Sequence, residues 1–387
     1  MSDQTQCGRP WEHGHSAGGI RAGERPAPPF LARCSNRFMV LVAAALAGLL
    51  LPAAAQQAPP TAFARFRERV EPAVERGLDY LARVQREDGS FPGSYGESTG
   101  IPGLVGMAFL SKGNLPTHGA YAESINRSID FILAHQKESG LFEAGHAGSG
   151  PMYAHNIATL FLSEVSGMVD PQRQEKIGKA LPKAIKLILQ AQQVKKDERS
   201  QGGWRYYPGS NDSDTSCSGW ALMALRSCKL NGGAIPDKAI EDAVGYLKRH
   251  QHEKTGTFGY TDDQSHAPTL TGMGLLCLEL CGRHGSPETL KAADFIMKNY
   301  RSLPGQQFEY YGNYYNAQAM FQLGGNYWES YAAWMYDHYL GEQKDDGSWQ
   351  ANEAGPAYGT AIMVLAFTVP YRQLPIYQRD ETVDEEK

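Results

Sequence analysis

The sequence predicts an all-α protein, an (α/α)6 toroid of six helical hairpins, and two features of the chain carry this prediction. From Thr61 onward one pattern returns about every 50 residues, a period typical of repeat architectures. Within each repeat an amphipathic helix precedes a helix that is apolar around its whole circumference, and helices of the second kind are normally buried. Six such pairs indicate an outer ring of helices around an inner ring, and we expect the ring to close.

The first helix of each repeat ends in glutamine, with apolar residues at three- and four-residue spacing before it. The fifth copy has Tyr300 at this position instead, and the sixth copy is slightly out of register. The glutamines are Gln85, Gln136, Gln192, Gln251 and Gln343.

A tight turn of glycine followed by an aromatic residue comes after each of these helices. Glycine suits the positive φ that ends a helix, and the aromatic ring can cover the apolar face of the helix just completed. The fifth copy is again degenerate, around Gly305 and Phe308. The other turn aromatics are Phe91, Phe142, Trp204, Phe258 and Trp349.

The second helix of each repeat is rich in small residues, and all six of these inner helices run in the same direction. Their starts should therefore meet at one rim of the ring. We predict starts near Gly103, His155, Ser216, Thr269, Asn316 and Gly359.

The N-terminal region predicts export. Arg33 and Arg37 precede an apolar run at residues 38–51, and small residues follow up to Ala55. This order is typical of a secretory signal cleaved after Ala55, and the run is shorter than the roughly 20 residues that span a bilayer. We predict a secreted or periplasmic protein whose membrane association is peripheral at most.

The predicted organisation has four parts. They are a disordered extension or misassigned start at 1–32, a signal peptide at 33–55, the toroid at 56–370, and a C-terminal strap with an acidic tail at 371–387. The formal net charge of −5 has no long basic run behind it, which excludes the electrostatic pattern of a nucleic-acid binder.

Four cysteines follow the signal: Cys217, Cys228, Cys277 and Cys281. Disulfides are permitted in an exported protein. Since Cys228 and Cys281 occupy equivalent positions on neighbouring inner helices, we predict a bridge between them.

The repeat of glutamine, glycine and an aromatic residue resembles the QW-type repeat of the terpene cyclase and protein prenyltransferase superfamily, specifically the prenyltransferase/squalene-oxidase repeat. The resemblance covers residues 61 to about 370 and implies that the glutamine and the turn aromatic tie adjacent hairpins together. It assigns this structural role to Gln85, Gln136, Gln251, Gln343, Trp204 and Trp349.

Class II cyclases of this superfamily carry an Asp-x-Asp-Asp-Thr motif at an inner helix start, where the middle acid protonates the polyene. The corresponding residues here are Asp212, Ser213, Asp214 and Thr215, so one acid is missing. The resemblance makes Asp212 and Asp214 candidate catalytic acids. Hopene and oxidosqualene cyclases also need two helical domains, whereas this chain has material for one ring.

Protein prenyltransferase β-subunits, which the chain resembles differently, hold zinc with Asp-x-Cys on one inner helix start and a histidine on a later one. Asp214, Cys217 and His266 have these residue types, although Asp214 and Cys217 are three apart rather than two. A carboxylate, a thiolate and an imidazole could form a three-ligand zinc site. No other cofactor is predicted.

Polar and aromatic residues at the inner helix starts are the candidate ligand-binding residues. Asp, Ser, Thr and Asn there are equally explained as helix caps, whereas histidine caps poorly. The candidates are His155, Asn156, Trp204, Arg205, Thr215, His266, Tyr311, Tyr314, Tyr315 and Tyr358.

Three functions remain open from the sequence. The first is an exported cyclase-like or transferase-like toroid that binds an isoprenoid or another apolar ligand. The second is a non-catalytic binding or scaffold module of the cell envelope. The third is a carbohydrate-active toroid resembling polysaccharide lyases, because the turn around Trp204 faintly resembles their Gly-Gly-Trp-Pro turn. A deep apolar cavity would favour the first, a plugged hole the second and an open polar groove the third.

Overall fold

The computed structural model describes residues 61–93, 97–145, 150–352 and 354–378. These residues form one compact unit of twelve principal α-helices without β-strands, as the repeat pattern predicts. The predicted extension, signal peptide and acidic tail lie outside the described residues. No helix within the described ranges has the length and apolarity needed to cross a membrane.

The helices alternate between an outer and an inner layer. The outer helices are α1 (Ala62–Val84), α3 (Ala122–Ala134), α5 (Pro171–Gln193), α7 (Asp237–Arg249), α9 (Pro287–Asn299) and α11 (Gly325–Tyr339). The inner helices are α2 (Gly100–Ser111), α4 (Met152–Val165), α6 (Thr215–Leu230), α8 (Ala267–Leu280), α10 (Glu309–Leu323) and α12 (Pro356–Phe367).

Five inner helices begin one to three residues before the predicted positions. The exception is α10, which begins at Glu309 rather than near Asn316. Its first two turns carry tyrosines and asparagine in place of the aliphatic residues of the other inner helices, so the apolar pattern does not mark its start.

The inner helices form a closed ring. Each packs against the next in order from α2 to α12, and α12 packs in turn against α2 and α1. The first and last repeats therefore cover each other's apolar faces, which removes the need for the polar caps of an open solenoid.

The repeat glutamines tie neighbouring hairpins together, as the resemblance implies. The side-chain amide of Gln192 donates to the carbonyl of Gly202 in its own turn (2.9 Å) and to that of Ala239 in the next outer helix (2.8 Å). Gln343 makes the same pair of bonds to Gly347 (2.9 Å) and to Ala73 of α1 (2.8 Å), which closes the outer layer. Gln85, Gln136 and Gln251 repeat the arrangement.

The turn aromatics are tied to the inner layer through their backbone. The amide of Trp204 donates to the hydroxyl of Ser218 at 2.8 Å, and the ring is buried. Equivalent bonds join Phe258 to Thr271, Trp349 to Thr360, and Phe142 to the imidazole of His155. Each of these four turns is thus fixed by one acceptor on the inner helix that follows it.

The predicted bridge between Cys228 and Cys281 is wrong, because all four cysteines of the described chain are free thiols. Equivalent positions on successive repeats are related by a rotation about the ring axis, so their side chains point alike instead of toward each other.

The segment after α12 crosses the C-terminal ends of the inner helices. The amide of Ile376 donates to Glu164 at the end of α4 (3.2 Å), and Gln322 of α10 donates to the carbonyl of Tyr377 (2.9 Å). The hydroxyls of Tyr377 and Tyr314 are also hydrogen-bonded. Residues 371–378 thus contact this end of the inner ring, while the predicted domain boundaries, including those of the strap and tail, stay predictions.

Glu164 makes stability depend on pH. Burial raises its pKa from the usual 4.5 to about 7, against the opposing effect of its bonds to Ser227 and Ile376. Between these values the folded state holds a proton that the unfolded state releases, so stability falls as pH rises from about 4.5 to 7. We expect the unfolding free energy of the wild type to fall by an amount on the order of 3 kcal/mol between pH 4.5 and 8. The variant Glu164→Gln keeps the size and hydrogen-bonding groups of the side chain but does not titrate, so it should lack this fall.

Urea unfolding at pH 5 and pH 8 checks this expectation. The control is Glu68→Gln, which makes the same replacement at a solvent-exposed carboxylate of α1. A wild type and a Glu164→Gln variant with the same pH dependence would contradict the expectation.

Candidate functional site

A cavity of about 430 Å³ lies at the rim where the inner helices begin, and all six of them contribute to it. Its wall is mainly apolar. The aliphatic and non-hydroxylated aromatic residues include Ile101, Leu104, Ile157, Trp220, Leu270 and Phe308. Tyrosines 153, 206, 260, 311 and 358 line it too, together with Ser98, Ser216, His266, Thr269 and Gln307.

Three of the predicted ligand-binding residues line this cavity: His266, Tyr311 and Tyr358. His266 precedes α8 with φ 56°, a left-handed conformation, and its ring stands edge-on to those of Tyr260 and Phe308. The hydroxyl of Tyr311 lies 3.5 Å from the sulfur of Met273. These residues form part of an aromatic wall.

Asp214 is fully buried directly behind the wall of the cavity. Its Oδ1 accepts hydrogen bonds from the amide of Cys217 (2.8 Å) and from the hydroxyl of Ser216 (2.9 Å). The hydroxyl of Tyr153 bonds to Ser216 and lies 3.4 Å from the same carboxylate oxygen. Since Ser216 and Tyr153 line the cavity, one hydroxyl separates Asp214 from the cavity.

Arg205 forms ion pairs with both candidate acids, Asp212 and Asp214. Its guanidinium lies 3.1 Å from Asp212 and 3.1 Å from Asp214, and it also covers the rings of Tyr206 and Tyr260. Arg205 does not line the cavity. Its charge is thus committed to the two carboxylates.

Burial affects the protonation of Asp214 and of Tyr153. It raises the pKa of Asp214, while the bonds from Cys217, Ser216 and Arg205 oppose the rise. Burial and the nearby Asp214 carboxylate raise the pKa of Tyr153 well above its usual 10. Tyr153 therefore keeps its proton at neutral pH and can donate it to a hydrogen bond.

Solved structures resemble this chain, although no protein-family model and no curated protein matches it. The type II terpene cyclase MstE from Scytonema, in complex with geranylgeranyl dihydroxybenzoate, aligns with TM-score 0.54 at 12% identity over 79% of this chain and 98% of that one. An inactive variant of the α-1,6-mannanase GH76A of Salegentibacter sp. HEL1_6, in complex with α-1,6-mannotriose, aligns with TM-score 0.58 at 10% identity over 77% and 98%. The chain has the α/α toroid fold. At these identities the likeness is one of fold alone.

The toroid places His155 away from the cavity. Its Nδ1 accepts the Phe142 amide at 3.1 Å, in the position that Ser218, Thr271 and Thr360 hold in other repeats. Burial lowers the pKa of His155 to about 4, so the imidazole is neutral. Its role is to fix the turn rather than to bind ligand.

The other predicted residues also lie outside the cavity lining. Asn156 faces the sulfur of Cys217 at 4.0 Å, and the indole of Trp204 donates to the carbonyl of Ile188 at 2.7 Å. The amide of Thr215 donates to the carbonyl of Tyr260 at 2.9 Å. Tyr314 and Tyr315 pack against Trp220, with ring centroids 6.1 and 5.6 Å away, and so support the wall from behind.

The structure does not bring the ligand atoms of the zinc candidates Asp214, Cys217 and His266 together. The sulfur of Cys217 lies 3.1 Å from the carbonyl of Arg205, and burial raises its pKa well above the usual 9, so it stays a thiol. Among the described residues, the His, Cys, Asp and Glu side chains that bring three ligand atoms within 4.8 Å are Glu309, His338 and Glu342. These three do not line the cavity.

Sequence reasoning missed Tyr206 and Tyr260 as lining residues. Each follows its turn aromatic, Trp204 or Phe258, by two positions, so an alignment of the repeats on those turns would have found them. Their hydroxyls are hydrogen-bonded to each other. Trp220 was also missed, because a large apolar residue inside an inner helix resembles ordinary core.

Proposed function

We propose that this chain is an exported toroid that binds an isoprenoid or similarly apolar ligand in the rim cavity. The observation that carries the proposal is the cavity itself, whose volume of about 430 Å³ falls in the range of known ligand pockets. Its mainly apolar wall, with a few convergent hydroxyls, suits a hydrocarbon with one polar end. Export rests on the signal-like N-terminal sequence.

The two structural neighbours suggest different ligand classes. The terpene cyclase binds a geranylgeranyl compound and the mannanase binds a mannose oligosaccharide. Aromatic side chains pack against either class. Apolar side chains such as Ile101, Leu104, Ile157 and Leu270 favour the isoprenoid, because the wall exposes mainly apolar surface and the hydroxyl groups of a sugar lose hydrogen bonds to water against such a surface.

A second candidate function adds cyclase-type catalysis, and the observation that favours it is the position of Asp214. In its protonated form, which burial favours, Asp214 would pass its proton to the oxygen of Ser216 or Tyr153, whose own hydrogen would go to a double bond of the ligand. The resulting cation would form its new carbon–carbon bonds and then return a neighbouring proton by the same route, so the reaction is an isomerisation. Aromatic faces around the cavity would stabilise the cation.

Isothermal titration of the purified protein with farnesol and with mannotriose tests the binding proposal. We expect farnesol to bind with micromolar affinity and mannotriose to give no heat of binding. Binding of mannotriose alone would favour the glycan function, and binding of neither would refute the ligand-binding proposal. N-terminal sequencing of the mature protein should begin at Gln56.

Replacing Asp214 with asparagine separates a functional role from a capping role. Asparagine still accepts the Cys217 amide, but Arg205 then keeps only Asp212 as a charged partner. We expect a loss of about 2 kcal/mol in unfolding free energy, since bonds to charged groups contribute more than neutral ones. Cyclised product should also disappear.

The matched control for this change is Asp212→Asn. The Asp212 side chain is 55% exposed, so its pair with Arg205 is largely screened. We expect a loss under about 1 kcal/mol. Equal stability losses and unchanged product for both variants would mean that Asp214 is no more than a partner of Arg205.

A further inference from the structure

Charge is distributed unevenly around the cavity. None of its described lining residues is lysine, arginine, aspartate or glutamate, and the titratable lining groups are His266 and the tyrosines. Behind the wall, Arg205 faces both Asp212 and Asp214, so two carboxylates stand against one guanidinium. Among the described lining residues and Arg205 behind them, no lysine or arginine is therefore left to meet an anionic ligand.

The hydroxyls beside Asp214 are oriented by its carboxylate. Ser216 donates to Oδ1, and Tyr153, which stays protonated, bonds to Ser216 and approaches the same oxygen. Because both hydroxyl hydrogens point back toward the carboxylate, the oxygens turn their lone pairs to the cavity. The lining at this point thus accepts hydrogen bonds rather than donating them.

From these two observations we infer that the cavity selects an uncharged isoprenoid alcohol and rejects the corresponding diphosphate. This inference rests on the proposed isoprenoid-binding function. A ligand hydroxyl donates its hydrogen to the oxygen of Ser216 or Tyr153. A diphosphate carries only acceptors at neutral pH, and burying its charges without lysine, arginine or a metal to meet them is costly.

Three probes that share the same farnesyl chain test the inference: farnesol, farnesyl methyl ether and farnesyl diphosphate. The ether keeps the oxygen but lacks the donor hydrogen. Titration followed by tryptophan fluorescence is suitable because Trp220 lines the cavity. We expect farnesol to bind about fivefold more tightly than the ether and at least about tenfold more tightly than the diphosphate.

Two substitutions connect this preference to the hydroxyls. In Ser216→Ala and in Tyr153→Phe the ratio of farnesol to ether affinity should fall toward one. The control is Tyr207→Phe, which removes the same atom from a tyrosine that is 58% exposed and does not line the cavity. It should keep the wild-type ratio.

The possible failures are distinguishable. Equal binding of farnesol and ether, or tighter binding of the diphosphate, would overturn the inference and leave the isoprenoid-binding function standing. Binding of none of the three probes would overturn both.

Discussion

Alanine at Gly202 is expected to lower the free energy of unfolding by about 3 kcal/mol, the largest loss of stability that we predict. Gly202 lies in the turn before Trp204 with φ +84°, a conformation that costs an L-residue roughly 1–2 kcal/mol. A Cβ atom there would also lie 2.2 Å from the carbonyl oxygen of Asp242 in the next outer helix. The turn and that helix would have to separate.

Gly232 provides the matched control, because it has the same φ of +84° but no atom within 4 Å of the added Cβ. Gly232→Ala should therefore show the backbone strain alone, about 1–2 kcal/mol. Urea unfolding of both variants measures the difference. Equal losses would mean that close contact between the turn and the next outer helix does not stabilise the ring.

Tryptophan at Ile101 is expected to reduce farnesol affinity at least about thirtyfold, the largest binding effect predicted, or about 2 kcal/mol. Ile101 lies in the first turn of α2, is only partly buried and lines the cavity. The larger side chain can extend into the cavity instead of the core, so it should displace the ligand while leaving the melting temperature almost unchanged.

Leu230→Trp is the control for this change, since Leu230 is 56% exposed at the end of α6 and lies outside the cavity. Its farnesol affinity should equal that of the wild type. If Ile101→Trp binds farnesol as tightly as Leu230→Trp does, the ligand occupies another place on the protein.

The ring could be predicted from sequence because its connecting residues recur at nearly fixed spacing. The side-chain amide of Gln192, for example, donates to the backbone carbonyls of Gly202 and Ala239. Every repeat provides such carbonyls, whatever its side chains are. The repeat therefore survives in the sequence even where the core residues differ. In the fifth repeat, where Tyr300 replaces glutamine, the start of α10 was also misplaced.

The site was harder to predict, because the sequence does not show which way a side chain points from an inner helix. His155 and Tyr153 are two residues apart, yet the first fixes the turn before α4 and the second lines the cavity. Asp214 was recognised as a candidate from its motif. Its bonds to Ser216 and Arg205 depend on the fold of the preceding loop, which no spacing rule describes.

Photolabelling with a farnesol analogue that carries a diazirine tests the central claim, ligand binding in the rim cavity, most directly. After irradiation and proteolysis, we predict labels on the first two turns of α2, α4 and α8, at residues such as Ile101, Ile157 and Leu270, and competition by unmodified farnesol. Labels confined to the outer groove beside Ile185 and Leu189 of α5, or labelling that farnesol does not reduce, would contradict the account.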